Sequence, residues 1–177
     1  MEEIEVPLEK TQEEIHEHAL HSGGWVSRVA LSSAIFAVVA AIAALLAGHH
    51  SNEAMIDQIR AANYWSYYQS KSIKSSLLTS KVDILAAQGK KASEKDEEKL
   101  KEYKKEMEDI THEAKEREES SEKNLHLHET LAKAVTLIQI GIAISAISVL
   151  VRKKRFWYVS LGFGLVGFYF FIAGLLH

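Results

Sequence analysis

Three apolar blocks without a single charged residue constrain this chain most: residues 29–47, 134–151 and 156–176. Each is close to the roughly 20 residues that a helix needs to cross about 30 Å of hydrocarbon. The averages hide them. Of the 177 residues 47% are hydrophobic and 25% charged, the net charge is −3, and the mean hydropathy is near zero. Charged and apolar residues occupy separate stretches, so the expectation is an all-α membrane protein with three transmembrane helices. The one proline is Pro7, and beyond it no ring removes a backbone donor. There is no cysteine, which excludes disulfides, thiolate metal sites and cysteine nucleophiles.

The first block is too long for a signal-peptide core, and the stretch before it is acidic, with only Lys10 and Arg28 positive. Three retained spans are therefore expected. Between the second and third spans lies Arg152-Lys153-Lys154-Arg155, and short basic loops stay cytoplasmic. The N-terminus is then cytoplasmic, and residues 49–130 lie outside, in the periplasm of a bacterial inner membrane. Trp25 and Phe156-Trp157-Tyr158 share one interface as an aromatic belt.

Residues 49–130 hold 14 Lys/Arg and 17 Asp/Glu, no proline and one glycine, Gly89. Glycine suits the left-handed position that closes a helix, and Ser93 with Asp96 resembles a capping box. The expectation is a helical hairpin turning near 89–93, with arms of about 60 Å that continue into spans one and two as helices of about 90 Å. On the returning arm Leu100, Tyr103, Met107, Ile110, Ala114, Arg117, Ser121 and then Leu125 or Leu131 alternate by three and four, the spacing an antiparallel coiled coil buries. Glu97–Lys101, Glu113–Arg117 and Glu119–Lys123 stand one turn apart in the favourable order.

The outgoing arm offers a broken stripe of Ile56, Ile59, Ile73, Leu77, Val82 and Leu85. Tyr64, Trp65, Tyr67 and Tyr68 cannot all face one partner helix, since consecutive residues turn by about 100°. Either some fill the hairpin seam and the rest are ordinary surface, or the outward ones meet another protomer, where Tyr and Trp are enriched. Small residues favour close helix approach: Ser33, Ala37 and Ala41, Ala40, Ala44 and Gly48, Gly141 and Ser145, and Gly162, Gly164, Gly167 and Gly174 on span three. Candidate oligomer contacts are thus Tyr64, Trp65, Tyr67, Tyr68, Gly162, Gly164 and Gly167.

Pairing the arms around residue 91 places His49 and His50 near residues 132–133, and His126 and His128 near 54–56. These four are the metal-ligand candidates, with Glu53 and Glu129 at the same height. They diverge around their helices, and no His-Glu-x-x-His is present, so solvated histidines at a membrane surface are favoured over a metal, haem or proton site. Thr11-Gln12-Glu13-Glu14 opens a short cytoplasmic helix bearing His16, His18 and His21, suited to docking on a protein partner. No Asp, Glu, Lys, Arg or His lies within a span, which argues against a pump or conduction path. Nucleophile elbows and phosphate loops are missing; Gly162-x-Gly164-x-x-Gly167 matches a dinucleotide fingerprint by letter, but inside a span with no preceding strand. Neither catalysis, a bound cofactor nor nucleic-acid binding is expected.

The opening EEIEVP, the acidic histidine-rich segment through His21, AALLAGHHSNEAM, YWSYYQSKSIKSSLL and VRKKRFWYVSLGFGLVG together resemble an uncharacterised bacterial family of small three-span inner-membrane proteins, a domain of unknown function. AGHHSNEAM and YWSYYQ are the most specific parts. The resemblance implies a bacterial inner-membrane protein and brings no activity with it.

The expected organisation is a cytoplasmic acidic segment (1–24), span one (25–48), an extracytoplasmic hairpin (49–130), span two (131–151), a basic loop (152–155) and span three (156–177). The expected role is a homo-oligomeric membrane scaffold or interaction protein, not an enzyme, whose partners are the lipid bilayer, further copies of itself and a cytoplasmic protein at residues 1–24. The alternative is a membrane-anchored sensor using the histidine belt for metal, haem or protons.

Overall fold

The computed structural model describes residues 24–176. Within them the chain forms three helices and no strand: α1 Trp25–Ala87, α2 Glu94–Leu150 and α3 Lys154–Leu176. The short helix expected near residues 12–21, with His16, His18 and His21, lies outside the described residues. All three helices are long and apolar enough to cross a membrane by length and composition. α1 and α2 each run without a break through an apolar and a charged stretch.

Both helix ends that face a turn close in the same way. Gly89 takes a left-handed φ of 73°, its N–H reaches the Ala86 carbonyl, and the Lys90 N–H reaches the Leu85 carbonyl. This paired pattern satisfies carbonyls that the last turn would leave orphaned. At the end of α2, Arg152 stands in the left-handed position with φ 53°; the Arg152 N–H bonds the Val149 carbonyl and the Lys153 N–H bonds the Ser148 carbonyl. A side chain there costs roughly 1 kcal/mol or more that glycine avoids. The basic loop is shorter than expected, since Lys154 and Arg155 already belong to the first turn of α3. At the start of α2 the Ser93 carbonyl accepts from the Asp96 and Glu97 N–H groups. The expected capping box is not what Asp96 serves: its carboxylate takes the Lys81 ammonium at 2.8 and 2.9 Å.

The described chain divides into two compact units, one of residues up to 51 with 126 onward, the other of 52–125. In the first, α1, α2 and α3 pack around small residues. Ala43, Ala47, Leu131, Ala134 and Phe171 form one buried cluster, and Ala40, Ile138 and Ile142 another. Where the side chains are absent, helices touch backbone. A methyl added at Gly167 would stand 2.6 Å from Ile138 Cγ1 and 3.1 Å from the Ala134 carbonyl; one at Gly141 would stand 3.1 Å from the Ser160 carbonyl. At Gly164 it would overlap the Phe36 ring, and at Gly174 it would meet Leu131. Polar side chains join this packing. The Ser145 hydroxyl donates to the Ile142 carbonyl at 2.7 Å and pairs with the Ser33 hydroxyl across α1 and α2. The Trp157 N–H donates to Ser32 at 3.2 Å, and Lys154 Nζ stands 6.0 Å from the Trp25 ring, so the starts of α1 and α3 lie side by side. Such contacts join the helices through polar side chains within an otherwise apolar packing.

The glycine contacts carry a direct expectation. Gly167→Ala forces backbone apart and lowers stability by about 1–3 kcal/mol, whereas Gly162→Ala meets nothing within 4 Å and is neutral or stabilising. Unfolding of the full chain by detergent titration, followed by circular dichroism, separates the two.

Candidate functional site

In the second unit the facing sides of α1 and α2 are set by an alternation of three and four on both helices. The α2 side is the one expected: Leu100, Tyr103, Met107, Ile110, Ala114, Arg117 and Ser121 are all buried or half-buried. Leu131, fully buried in the first unit, continues the series, while Leu125 is 49% exposed. The α1 side differs from expectation. Ile56, Ile59, Ile73 and Leu77 are exposed, and the inward positions are Ala54, Asp57, Ala61, Tyr64, Tyr68, Lys71, Ser75, Leu78, Val82 and Leu85. The expected stripe had joined two faces of one helix, of which only Val82 and Leu85 belong to the seam.

Two ionised groups stand in that seam. Asp57 is 4% exposed, the one charged residue buried among the described residues. Ser120 Oγ donates to its Oδ2 at 2.7 Å, and the guanidinium groups of Arg60 and Arg117 stand 3.3 and 3.5 Å from Oδ1. Beside it the Ser121 hydroxyl donates to the Ala54 carbonyl at 2.8 Å, an approach that the alanines at 54, 61 and 114 permit. The Ser120 hydrogen bond, aided by Arg60 and Arg117 and opposed by burial, holds the Asp57 carboxyl below its ordinary value. Lys71, two heptads further along the seam, lies between the Tyr67 and Tyr103 rings at 5.3 and 5.4 Å and pairs with Glu106 at 2.6 Å. Glu106 chiefly, with Tyr67, raises its pKa against the cost of burial. Neither Asp57 nor Lys71 had been singled out from the sequence; their signal was the heptad position each occupies in phase with α2.

The aromatic candidates divide. Tyr64, Trp65 and Tyr68 are half-buried, with Trp65 edge-on to Tyr68 at 5.8 Å and donating its N–H to Glu118 at 2.8 Å. Tyr67 is 49% exposed. Gly164 and Gly167 are buried against α1 and α2 of their own chain, and Gly162 is open.

The histidines sit at a register other than the one expected. Contacts Ala47–His128, Ala54–Ser121, Asp57–Ser120, Lys71–Glu106 and Lys81–Asp96 place the pairing centre near residue 88, not 91. The cause is the turn: α1 stops at Ala87 and the residues after Gly89 run outside a helix until Glu94. His128 therefore meets Ala47 rather than residues 54–56, its Nδ1 2.8 Å from the Ala47 carbonyl, which assigns the proton of the neutral ring to Nδ1. His49 and His50 have ring centres 5.5 Å apart, and His126 is exposed. Among the described residues no group of three or more His, Asp or Glu side chains gathers as a metal site. Alongside His128 a shallow groove of about 570 Å³ is lined by Glu129, Lys133, Thr136, Leu137 and Phe170.

The family model described as Domain of unknown function (DUF4337) matches residues 25–177, which takes in all three helices. The chain belongs to this family. No curated protein and no solved structure matches it. The DUF4337 region thus begins where α1 begins, and the Asp57 seam, the histidine level and the glycine contacts of α3 all fall within it.

Losing the Asp57 carboxylate leaves Ser120 and two guanidinium groups without their acceptor, so Asp57→Ala lowers stability by about 1–3 kcal/mol. A folded-state pKa below the ordinary carboxylate value contributes stability that is present above that value and lost as pH falls through the lowered one. Chemical unfolding of the wild-type chain between pH 7 and pH 3 shows this acid loss, and Asp57→Asn removes its share of it.

Proposed function

We propose that this DUF4337 protein is an integral membrane scaffold or interaction protein that homo-oligomerises. It spans a bacterial inner membrane three times, with a cytoplasmic N-terminus, and displays residues 49–130 outside the cytoplasm as an antiparallel coiled-coil hairpin. The observation that carries this is the contrast within α1 and α2: each passes unbroken from an uncharged apolar stretch, packed through alanine, serine and glycine contacts, to a charged stretch whose seam is pinned by Asp57 and Lys71. Length and apolarity of the three helices support the spans, the basic turn at 152–155 supports the orientation, and the sequence resemblance supports the bacterial setting. The seam side chains Asp57, Ser120, Arg117, Lys71 and Glu106 are spent on one another, which supports a role in holding helices and partners together. Residues 1–24 are proposed to dock on a cytoplasmic protein.

Mass measurement of the purified full chain in several detergents tests this reading, together with labelling of Gly89→Cys from outside intact cells. A multimer that recurs across detergents, and labelling without lysis, are expected. A monomer throughout, or labelling only after lysis, contradicts the oligomer or the orientation respectively.

A further inference from the structure

Within the second unit α1 has a second ordered face on the side away from α2. Ile56, Ile59, Asn63, Ile73, Leu77 and Ile84, with serine at positions 66, 70 and 80, repeat the alternation of three and four without interruption. The five aliphatic side chains are between 40% and 68% exposed, and no charged residue stands on these columns. α2 offers no counterpart: among its residues 94–125 the one exposed large aliphatic is Leu125, and its other outward positions are lysines and glutamates with Asp109 and His112. A solvated helix has no need of an uncharged isoleucine seam on one side only.

We infer that this α1 face is where a second copy of the chain docks, its own α1 running parallel. The inference rests on the homo-oligomer proposed above and names the surface that makes it. Three features select a copy over another protein. The seam columns carry no charge, so two identical seams meet without like charges opposed along them, whereas a partner with a charged surface would strand its charges against isoleucine. Asn63 occupies the seam position one turn beyond Ile59, and a single seam asparagine paired with its own equivalent sets a parallel two-stranded register. The exposed side chains amount to on the order of 600 Å² per copy, below the ~800 Å² per partner of a free-standing interface. Anchoring in one bilayer closes that gap, because it holds copies the same way up at an effective concentration on the order of millimolar. Tyr64, Trp65 and Tyr68, turned toward α2, are not part of this surface.

The chain has no native cysteine, so single substitutions report directly. In membranes holding the full chain, oxidation of Ile73→Cys and of Leu77→Cys is expected to give a linked species of twice the chain mass, and Lys105→Cys on the outward side of α2 is not. Ile73→Glu with Leu77→Glu is expected to reduce the dimer fraction at least tenfold with helix content unchanged. An oligomer that persists in the double Glu variant, with no link at 73 or 77, overturns this face and leaves homo-oligomerisation standing. A wild-type monomer in every detergent and in membranes overturns both. A linked species whose mass shows a different protein overturns the second copy as the occupant.

Discussion

One buried carboxylate, Asp57, constrains how α1 pairs with α2 in the charged part of this molecule. Asp57 sits where a heptad seam ordinarily holds an aliphatic residue, and it is retained there by the Ser120 hydroxyl and two guanidinium groups. Burying a charge is costly unless it is matched on all sides, so a slip of α1 against α2 by one turn would strand it. The neighbouring Ser121–Ala54 contact works to the same end by a different means. It needs a residue with almost no side chain at 54, and it too is lost on a slip. Together they exchange some burial for a single register, the use for which polar seam residues are best attested.

That register has consequences at a distance from Asp57. It sets Lys71 between two tyrosine rings with Glu106 at its ammonium, and Lys81 on Asp96 beside the turn. The same offset is seen in the first unit, where His128 meets the Ala47 carbonyl. It also divides α1 into an inward face of alanine, tyrosine, serine and ionised residues and an outward face of isoleucine and serine. The apolar part has its own logic, in which glycine and serine on α2 and α3 let backbones touch and hydroxyl groups bond across the contact. The two sets of rules are carried by the same two helices.

The three apolar helices, the turn at Gly89 and the α2 seam were legible in the sequence because each rests on a local pattern: block hydropathy, one glycine, and a sustained alternation of three and four. The α1 seam was not. Its aliphatic residues lie on the outward face, so following Ile56, Ile59, Ile73 and Leu77 led to the wrong side of the helix, and the right side reads as Ala54, Asp57, Ala61 and Lys71, which apolarity alone does not reveal. Register was missed by a few residues because a pairing centre taken from the middle of the turn ignores how the turn is built. α1 closes at Ala87 by its Gly89 motif, and the chain then spends several residues before Ser93 starts α2. Arg117, one turn from Glu113, also reaches Asp57 on α1, a partner that spacing along one helix does not show.

The register is the claim on which the rest stands, and a paired-cysteine experiment reads it directly in a chain that has no cysteine of its own. The Ser121 hydroxyl lies against the Ala54 backbone, so Ala54→Cys combined with Ser121→Cys is predicted to form an intramolecular disulfide under mild oxidation, as a disulfide requires Cα atoms within about 7 Å. Pairing about residue 91 would instead bring residue 54 beside residue 128. A bridge from Ala54→Cys to His128→Cys, with none to Ser121→Cys, would contradict the account.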